Sequence, residues 1–331
     1  MKNILKFVVP ALILAVLIFG VIALPRLYRA PLGEPLALVQ SNQPQSAPTV
    51  MMAAAQPGQA EAAPTAVPTP TPAGTCGRTG TMSLLMLGVD TSIGVPPHGA
   101  DAIRLVRVDF DNAKVTSMAF SRDLEVTIDG QQMILCSMFK YQCDCTDGDE
   151  RAKFTAASSK VAQLMLDRYG LQPDNYFTIK LDEFIPMVDT IGGVEVNNPE
   201  TFTNERGTTF QAGKLRLDGK SAADFIRSVE PGGDSARVMR QNLFIDALRA
   251  KLLTFDVITK IPELYNRFSG MIVTDLSPED IAQLSCMLKE VPPESVAIYE
   301  MDSDQRIKDN KGTQFAYEGE IKTFLQKLFV R

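Results

Sequence analysis

The residues with the clearest chemical potential lie at positions 232–241, where two glycines precede an aspartate, a serine, two arginines and a glutamine. The aspartate or the serine can cap a helix that continues to about residue 253. Arg237, Arg240 and Gln241 then stand at i, i+3 and i+4 and share one helix face. A helix N-terminus attracts anions, so two guanidinium groups beside it would form a clamp for a phosphate or diphosphate. The alternative is a solvated helix face that happens to carry arginines.

A second group of charged residues follows predicted strands. Three apolar runs with strand character come one after another, and their ends carry Asp90, Asp101, Arg122 and Asp123. If those ends lie at one edge of a sheet, the four side chains form a single polar site, because binding groups commonly occupy such loops. The alternatives are aspartates that only form turns and a structural arginine–aspartate ion pair.

The composition of the 331-residue chain limits the chemistry that it can perform. The formal net charge of −6 argues against a general nucleic-acid binder, which needs a basic surface. His98 is the only histidine, and no nucleophile-elbow pattern or H-E-x-x-H zinc motif is present. We expect His98 to be a loop residue without a catalytic role. We therefore expect any chemistry to use carboxylates and arginines, with or without a hard metal ion.

The N-terminal part of the chain predicts a membrane anchor and a spacer. Residues 7–24 form an uncharged apolar run, broken only by Pro10, that is near the minimum length for a membrane-spanning helix. A cleaved signal peptide is the alternative. Residues 31–80 are rich in Pro, Ala, Gln and Thr, which predicts a disordered linker. We therefore expect a single-pass anchor in residues 1–30 and a domain at residues 81–331 that works outside the cytoplasm, near the membrane.

The five cysteines fit that compartment. Cys136, Cys143 and Cys145 are clustered, and Cys76 stands where the linker meets the domain, so one or two disulfides are expected without a fixed pairing. A zinc site formed by the cluster is a less favoured alternative, because the spacing matches no standard knuckle. Cys286 lies in a predicted apolar helix and is expected to be a buried free thiol.

The domain alternates predicted strands and helices. We predict strands at residues 82–90, 102–110, 114–120, 176–179, 194–196 and 295–299. We predict helices at residues 154–169, 182–191, 219–228 with Asp218 as its cap, 237–253, 278–290 and 318–329, and a further element at residues 258–268. Residues 124–128 extend the third strand or pair elsewhere, residues 131–151 are expected to be irregular, and Arg104 and Arg107 are expected to face solvent. The pattern favours an α/β domain, or α+β, with a central mixed sheet flanked by helices.

Several of these segments, taken in order, resemble the LytR-CpsA-Psr family, also called the cell-envelope-related transcriptional attenuator family. The matching segments are residues 84–90, the strand that Asp101 begins, residues 121–123, 188–196, 212–219, 225–227 and 233–241. The resemblance covers about residues 82–255 and leaves residues 256–331 as a C-terminal extension.

The resemblance implies a specific activity. Members of this family are membrane-anchored extracytoplasmic enzymes with an α/β fold. They bind a polyprenyl-diphosphate-linked glycan and transfer its phosphoglycosyl part to a cell-wall acceptor such as peptidoglycan, which forms a phosphodiester. Their apolar helices line a polyprenyl tunnel, which here would involve the helices at residues 156–169, 182–191 and 243–253.

The resemblance also assigns roles to individual residues. Asp90 and Asp101 match acidic positions associated with Mg²⁺, a hard cation that suits carboxylate and diphosphate oxygens. Catalytic positions are matched by Arg122, Asp123 and Asp234, and either of these aspartates can deprotonate the acceptor hydroxyl. The diphosphate-binding positions are matched by Arg227, Arg237, Arg240 and Gln241. This set agrees with the physics of phosphoryl transfer, which needs charge neutralisation and positioning more than covalent help.

Four departures from the family pattern bear on the activity. Val229 and Gly99 replace family arginines, Ser121 stands in the place of a proline, and residues 133–137 replace a segment rich in lysine and asparagine. Two alternatives to the transferase stay open, and the smaller number of cations around a diphosphate favours the first of them. The first is a non-catalytic scaffold or sensor that binds a lipid diphosphate or an envelope glycan. The second is a diphosphatase that uses water as the acceptor at the same site.

Overall fold

The computed structural model describes residues 28–39, 74–90, 99–254, 272–309, 311–316 and 320–329. Four sequence predictions lie outside these ranges: the membrane anchor at residues 7–24, most of the linker (residues 40–73), His98 and the element at residues 258–268. Within the described ranges, no helix has both the length and the apolar character that a bilayer crossing requires.

The strands, numbered in chain order, are β1 (Thr81–Asp90), β2 (Gly99–Asp109), β3 (Lys114–Phe120), β4 (Glu125–Ile128), β5 (Gln131–Ile134), β6 (Asn175–Lys180), β7 (Val194–Asn198), β8 (Phe202–Thr203), β9 (Thr209–Phe210), β10 (Gly213–Leu217), β11 (Ile272–Thr274), β12 (Val296–Met301), β13 (Ile307–Asp309) and β14 (Gln314–Ala316). The helices are α1 (Leu135–Asp144), α2 (Glu150–Tyr169), α3 (Leu181–Thr190), α4 (Gly219–Arg227), α5 (Gly233–Leu252), α6 (Pro278–Glu290) and α7 (Ile321–Phe329). Strand β3 and helix α6 occupy the predicted residues.

Eight of the described strands form the central sheet, in the order β11-β6-β1-β2-β3-β12-β13-β14. β1 pairs in parallel with β6, and β3 pairs in parallel with β12, whereas the other neighbours are antiparallel. The sheet is therefore mixed and is flanked by helices, which confirms the predicted fold class.

The alternation of side chains along β1 separates the two faces of this sheet. Leu85 and Leu87 pack with α1, α2 and α7 in the largest core cluster, whereas Met82 and Leu84 pack with α6 on the opposite face. A strand that is buried on both faces has no polar side, which explains the continuous apolar run of this strand in the sequence.

A smaller core positions the helices that carry the candidate site. The rings of Phe184 in α3 and Phe244 in α5 lie 5.3 Å apart, and the cluster around them includes residues of α4 and β7. Helix α4 begins as predicted, because the Asp218 side chain accepts a hydrogen bond of 2.8 Å from the Ser221 amide. These contacts fix the end of α4, where Arg227 stands, against the start of α5.

The region predicted to be irregular, residues 131–151, instead contains β5 and α1. Strand β5 pairs with β4, so residues 125–128 pair outside the central sheet. The prediction was wrong because it gave weight to the cysteines and aspartates of this region. Leu135, Met138 and Phe139 of α1 are buried in the main core and hold the helix in place.

Arg104 and Arg107 do not face solvent as predicted. Arg107 is half-buried and donates a hydrogen bond of 3.2 Å to the Leu328 carbonyl oxygen. Arg104 is buried, and this burial lowers the pKa of its guanidinium to about 10, an effect that the carboxylate of Glu300 opposes. Helices cover both faces of the sheet at β2, so neither arginine side chain can extend freely into solvent.

Residues 28–39, called the strap below, pack on the domain. Leu36 and Leu38 contact the main core, and the Ala37 amide donates a hydrogen bond of 3.1 Å to Ser159 Oγ of α2. The prediction of a disordered linker is therefore wrong for this part of the chain. Its leucines and its free backbone groups find partners on the domain, which composition alone did not indicate.

The cysteine predictions also need correction. Cys76 and Cys286 form a disulfide with a Cα–Cα distance of 5.7 Å, so Cys286 is not a free thiol. Cys136, Cys143 and Cys145 are free, so the disulfide that the structure describes uses none of the three clustered cysteines. Cys76 lies in a short turn at residues 75–77 that packs on the same side of the sheet as α6. Because it is far from Cys286 in the sequence, no local pattern predicts that the two cysteines pair.

Candidate functional site

The candidate site lies at the edge of the central sheet where β1 ends, β2 begins and β3 ends. The register of these three strands brings Asp90, Asp101 and Arg122 to the same edge. The end of α4 and the start of α5 lie there as well, because Arg227 contacts Asp90 and Arg237 contacts Asp101. Segments that are far apart in sequence thus meet at one polar cluster.

Arg122 lies between two carboxylates. Its Nη1 donates a hydrogen bond to Asp101 Oδ1, and its Nε lies 3.5 Å from Asp123 Oδ1. The Asp123 side chain is 47% exposed, whereas those of Arg122 and Asp101 are largely buried. Burial raises the pKa of Asp101, and the guanidinium groups of Arg122, Arg237 and Arg227 oppose this shift. Asp123 is therefore the carboxylate of this group that solvent, or an acceptor hydroxyl, can reach.

Arg227 pairs with Asp90 in the same manner. It is the last residue of α4, and its Nη2 donates a hydrogen bond to Asp90 Oδ2 at the end of β1. Asp90 is buried and the Arg227 side chain is 26% exposed, so this ion pair is screened less than a pair on the open surface. Each of the two aspartates predicted to associate with a metal ion is thus held by an arginine.

Helix α5 begins without a side-chain cap. Its N-cap residue is Gly232, whose φ of 99° is a left-handed conformation that favours glycine, and the helix itself starts at Gly233. The prediction that Asp234 or Ser235 caps this helix is wrong, since both residues lie in its first turn. The first backbone amides of this helix therefore have no acceptor from a capping side chain.

Arg237 ties this first turn to β2 and β3. Its Nε donates a hydrogen bond of 2.9 Å to Asp234 Oδ1, and its Nη1 donates one of 2.7 Å to the Asp101 carbonyl oxygen. Ser121 Oγ donates a hydrogen bond of 2.6 Å to the other carboxylate oxygen of Asp234. Arg237 is only 2% exposed, which excludes the alternative of a solvated helix face.

Arg240 and Gln241 follow on the same helix face but have different surroundings. Arg240 is 1% exposed, and its guanidinium donates hydrogen bonds of 2.7 Å to the Ser228 carbonyl and 2.9 Å to the Pro231 carbonyl. The guanidinium also lies 4.0 Å from the centre of the Phe202 ring. These contacts support the loop between α4 and α5. Gln241, in contrast, lines a cavity beside Asp90.

This cavity has a volume of about 60 Å³ and mainly apolar walls. It is lined by Gly88, Val89, Asp90, Asp101, Ala102, Ile179, Lys180, Leu181, Phe184, Ile226, Arg227 and Gln241. Of the three helices predicted to line a lipid tunnel, α3 contributes Leu181 and Phe184 to the cavity lining and α5 contributes Gln241, whereas α2 contributes no residue. The cavity is well below the several hundred Å³ of typical ligand pockets, so it is too small for a polyprenyl chain in this conformation.

Two groups of residues near the site were missed by the sequence analysis. Ser235 contacts Glu300 and Lys308, which come from β12 and β13 near the C-terminus. The Cys136 amide donates a hydrogen bond of 3.0 Å to the Arg122 carbonyl, which connects α1 to the site. The predicted strand at residues 295–299 ends directly before Glu300, but nothing local in the sequence indicates the partner of Glu300.

Asp90 and Asp101 are the residues that could hold a metal ion. Their oxygen atoms suit Mg²⁺, and they are close enough for the charge of Asp90 to raise the pKa of Asp101. Within the described ranges, no cluster of three or more His, Cys, Asp or Glu residues could hold a metal ion. A Mg²⁺ held by these two aspartates would need its remaining ligands from substrate oxygens and water. The same finding gives no support to a zinc site at the free cysteines.

The chain resembles curated proteins over about three-fifths of its length. It is 28% identical over 205 residues to a protein from Oceanobacillus iheyensis named polyisoprenyl-teichoic acid–peptidoglycan teichoic acid transferase TagU, and the match covers 61% of each chain. It is 26% identical over 208 residues to a Staphylococcus aureus protein named regulatory protein MsrR, with 62% of this chain and 59% of that protein covered. The match thus spans less than two thirds of either relative.

Solved structures share the fold. The crystal structure of Bacillus subtilis TagV has a TM-score of 0.57 at 18% identity and covers 76% of this chain and 97% of that one. A LytR-Csp2A-Psr enzyme from Actinomyces oris has a TM-score of 0.55 at 20% identity and covers 75% and 89%. The model of the LytR_cpsA_psr family matches residues 49–329, which include every residue of the candidate site. The chain therefore belongs to the LytR-CpsA-Psr family.

Proposed function

We propose that the protein is a membrane-anchored phosphotransferase that acts outside the cytoplasm. It would move the phosphoglycosyl group of a polyprenyl-diphosphate-linked glycan to a cell-wall or envelope acceptor and form a phosphodiester. One observation carries this proposal: Arg122, Arg227 and Arg237 converge with Asp90 and Asp101 at one sheet edge, next to an apolar cavity.

The arginines provide what phosphoryl transfer requires. Guanidinium groups fixed by hydrogen bonds neutralise charge on the phosphate oxygens and need no reorganisation during the reaction. Arg237 is held by Asp234 and by the Asp101 carbonyl, so its position is set before substrate arrives. Arg122 and Arg227 now pair with carboxylates and would turn part of their hydrogen-bonding capacity to the diphosphate.

The proposed reaction joins the acceptor to the phosphate that carries the glycan. The acceptor oxygen forms a bond to that phosphorus atom, and the bond from the phosphorus to the bridging oxygen breaks, so that polyprenyl phosphate leaves. Asp123 is the better candidate to take the acceptor proton, because it is exposed. Both carboxylate oxygens of Asp234 already accept hydrogen bonds, from Arg237 and Ser121. Mg²⁺ on Asp90 and Asp101, when bound, would neutralise further diphosphate charge.

The cavity and the relatives support the proposed donor class. The apolar cavity is lined in part by Arg227 and Asp90, so a lipid in it would lie next to the polar cluster that would hold its diphosphate. The relative from Oceanobacillus iheyensis is named as a transferase that moves teichoic acid from a polyisoprenyl carrier to peptidoglycan. We extend the class of reaction, and not the particular glycan, to this protein.

The proposed location rests on the sequence and on the disulfide. The apolar run at residues 7–24 would anchor the chain in the cell membrane, with the domain on the extracytoplasmic side. The Cys76–Cys286 disulfide supports that side, because disulfides persist mainly in oxidising compartments.

A non-catalytic scaffold or sensor is the second candidate. The observation that favours it is the small cavity, together with the loss of family arginines at Gly99 and Val229. Such a protein would bind a lipid diphosphate through the same arginines and would release no product.

The test uses the full chain in detergent, a short polyprenyl-diphosphate N-acetylhexosamine, a peptidoglycan acceptor and Mg²⁺. Mass spectrometry would follow the release of polyprenyl phosphate and the formation of the phosphodiester. Arg122→Met and Asp101→Asn should lower the rate about 100-fold or more, since each removes a charge at the reacting group. Arg216→Met, an exposed arginine that contacts the Gly192 carbonyl, is the matched control and should retain the rate.

The outcomes separate the candidates. Transfer that requires Mg²⁺ and both residues supports the transferase. Diphosphate cleavage without transfer identifies a diphosphatase, and tight binding without cleavage in the presence of acceptor identifies a scaffold or sensor. Circular dichroism of each variant shows that a lost rate does not come from a lost fold.

A further inference from the structure

Three kinds of surface follow one another along the sheet edge that carries the site. The apolar cavity lies by β6 and β1, and the arginine–carboxylate cluster lies at β1, β2 and β3. Beyond it, Ser235, Glu300 and Lys308 meet at β12 and β13. Neighbouring strands are about 4.8 Å apart, so the three spacings from β1 to β12 amount to roughly 14 Å.

The three residues of this last group contact each other directly. Ser235 Oγ donates a hydrogen bond of 2.6 Å to Glu300 Oε1, and Lys308 Nζ donates one of 3.0 Å to Ser235 Oγ. Lys308 Nζ also lies 3.5 Å from Glu300 Oε1. The Glu300 side chain is 12% exposed and that of Lys308 is 34% exposed, so the group borders solvent at the side of the site.

A buried arginine with unused hydrogen-bonding capacity lies on the same sheet face as Glu300 of this group. Ser235 stands in the first turn of α5 but does not cap it. Arg104 shares the sheet face of Glu300, since both lie directly opposite Ala119 in the strand register. Its Nη2 is buried and has no hydrogen-bond partner in the part of the chain that the structure describes. Buried polar groups are normally paired, so an unpaired one beside an acidic group indicates a place for a polar ligand.

We infer that Ser235, Glu300 and Lys308 bind the first sugar of the donor. This inference rests on the proposed function and extends it to the glycan side of the same site. A polyprenyl-diphosphate-linked glycan has a fixed linear order of lipid, diphosphate and sugar. The apolar cavity, the arginine cluster and the Ser235–Glu300–Lys308 group follow the sheet edge in that order.

The chemistry of the group suits a sugar. A carboxylate accepts hydrogen bonds from two neighbouring hydroxyl groups, and an ammonium and a hydroxyl group donate to sugar oxygens. Hydrogen bonds to charged groups contribute more to net affinity than those between neutral groups. The C-terminal strands, to which the sequence assigns no role, thus contribute the specificity for the glycan.

The experiment compares two probes with the full chain in detergent. The first probe is geranylgeranyl diphosphate. The second is the same diphosphate with a sugar attached, prepared once with an N-acetylhexosamine and once with a hexose. Binding is measured by calorimetry, without acceptor, for the wild type and for Ser235→Ala, Glu300→Gln and Lys308→Met. Lys311→Met and Asp304→Asn, two exposed residues in neighbouring turns, serve as matched controls.

We expect one of the sugars to tighten wild-type binding about tenfold, as one or two hydrogen bonds to charged groups would do. The three variants should lose most of this gain, whereas their affinity for geranylgeranyl diphosphate and the behaviour of both controls should stay unchanged. An equal loss of affinity for both probes would overturn the sugar subsite in favour of a positioning role. The absence of any gain from a sugar in the wild type would also overturn it.

The design separates this inference from the proposed function. A wild type that binds geranylgeranyl diphosphate through Arg122 and Arg237, but shows no dependence on the sugar, contradicts the sugar subsite alone. A wild type that binds neither probe contradicts the proposed donor class, and the sugar subsite with it.

Discussion

Gly99 stands at the start of β2, two residues before Asp101, in close contact with the backbone of α1. A Cβ atom at this position would lie 1.9 Å from the Cys136 carbonyl oxygen, and the φ of Gly99 is 149°. The family arginine at this place therefore cannot be restored by substitution alone. We predict that Gly99→Ala is strongly destabilising and that Gly99→Arg is more so.

The magnitude has two parts. A side chain in this backbone conformation costs about 1–3 kcal/mol. Relief of the overlap requires a backbone shift of α1, which adds about 1–3 kcal/mol by analogy with overpacked cores. The total is on the order of 4 kcal/mol, a large part of the 5–15 kcal/mol that typically stabilises a domain.

Gly130 provides the matched control. Its φ is 79°, and no heavy atom lies within 4 Å of an added Cβ, so Gly130→Ala has the conformational cost without the overlap. That cost is about 1–2 kcal/mol. Urea unfolding of the full chain in detergent, followed by circular dichroism, compares the two variants.

The overlap also has a functional consequence. The Cys136 amide donates a hydrogen bond to the Arg122 carbonyl, so a displaced α1 would move the residue that pairs with Asp101. Gly99→Ala should therefore weaken diphosphate binding in the fraction that remains folded, whereas Gly130→Ala should not. If Gly99→Ala is no more destabilising than Gly130→Ala, the reasoning from the carbonyl contact is wrong.

Three further predictions concern stability. Reduction of the Cys76–Cys286 disulfide, which joins residues 210 positions apart, should lower the free energy of unfolding by about 2–4 kcal/mol. A urea midpoint that is the same with and without reductant would contradict this prediction. Asp218→Ala removes the cap of α4 and should cost about 1 kcal/mol. Hydrogen bonds from the third residue of α4 lower the pKa of Asp218, so its contribution is present above the usual aspartate range and is lost as the pH falls through the lowered value. Asp218→Asn should keep the cap without that pH dependence, and an unchanged acid limb would refute the assignment. In the strap, Leu36→Ala should lower the free energy of unfolding by about 1 kcal/mol in the same urea assay, because Leu36 packs against the main core. Val39→Ala, at an exposed position, should change it very little. Equal effects of the two substitutions would show that the strap does not pack on the domain.

Local signals in the sequence were sufficient for the parts of the fold that depend on neighbouring residues. The continuous apolar run before Asp90 and the turn after the second strand predict three sheet strands. The aspartate before α4 and the glycine after α2 mark helix ends. The ordered motifs, and not any one residue, predicted the family.

Contacts between distant residues could not be predicted in this way. Cys76 and Cys286 are each ordinary in their own segments, and only the packed fold brings them together. Arg240 has the spacing of a ligand, but its guanidinium meets two loop carbonyls and an aromatic ring. Glu300 reaches the first turn of α5 because β12 pairs with β3, a pairing that no local pattern specifies.

The balance of charge at the site bears on why a metal ion is expected there. The cluster contains four carboxylates and three guanidinium groups: Asp90, Asp101, Asp123 and Asp234, with Arg122, Arg227 and Arg237. Its formal charge is therefore −1 when all these groups are ionised, from three positive and four negative groups. A diphosphate would add further negative charge to a largely buried site, which is costly unless that charge is paired. The family arginine that Gly99 replaces cannot return without displacing α1. A divalent cation on Asp90 and Asp101 would reverse the sign of the cluster and free Arg122 and Arg227 from their present partners, so in this chain donor binding and Mg²⁺ binding should be strongly coupled.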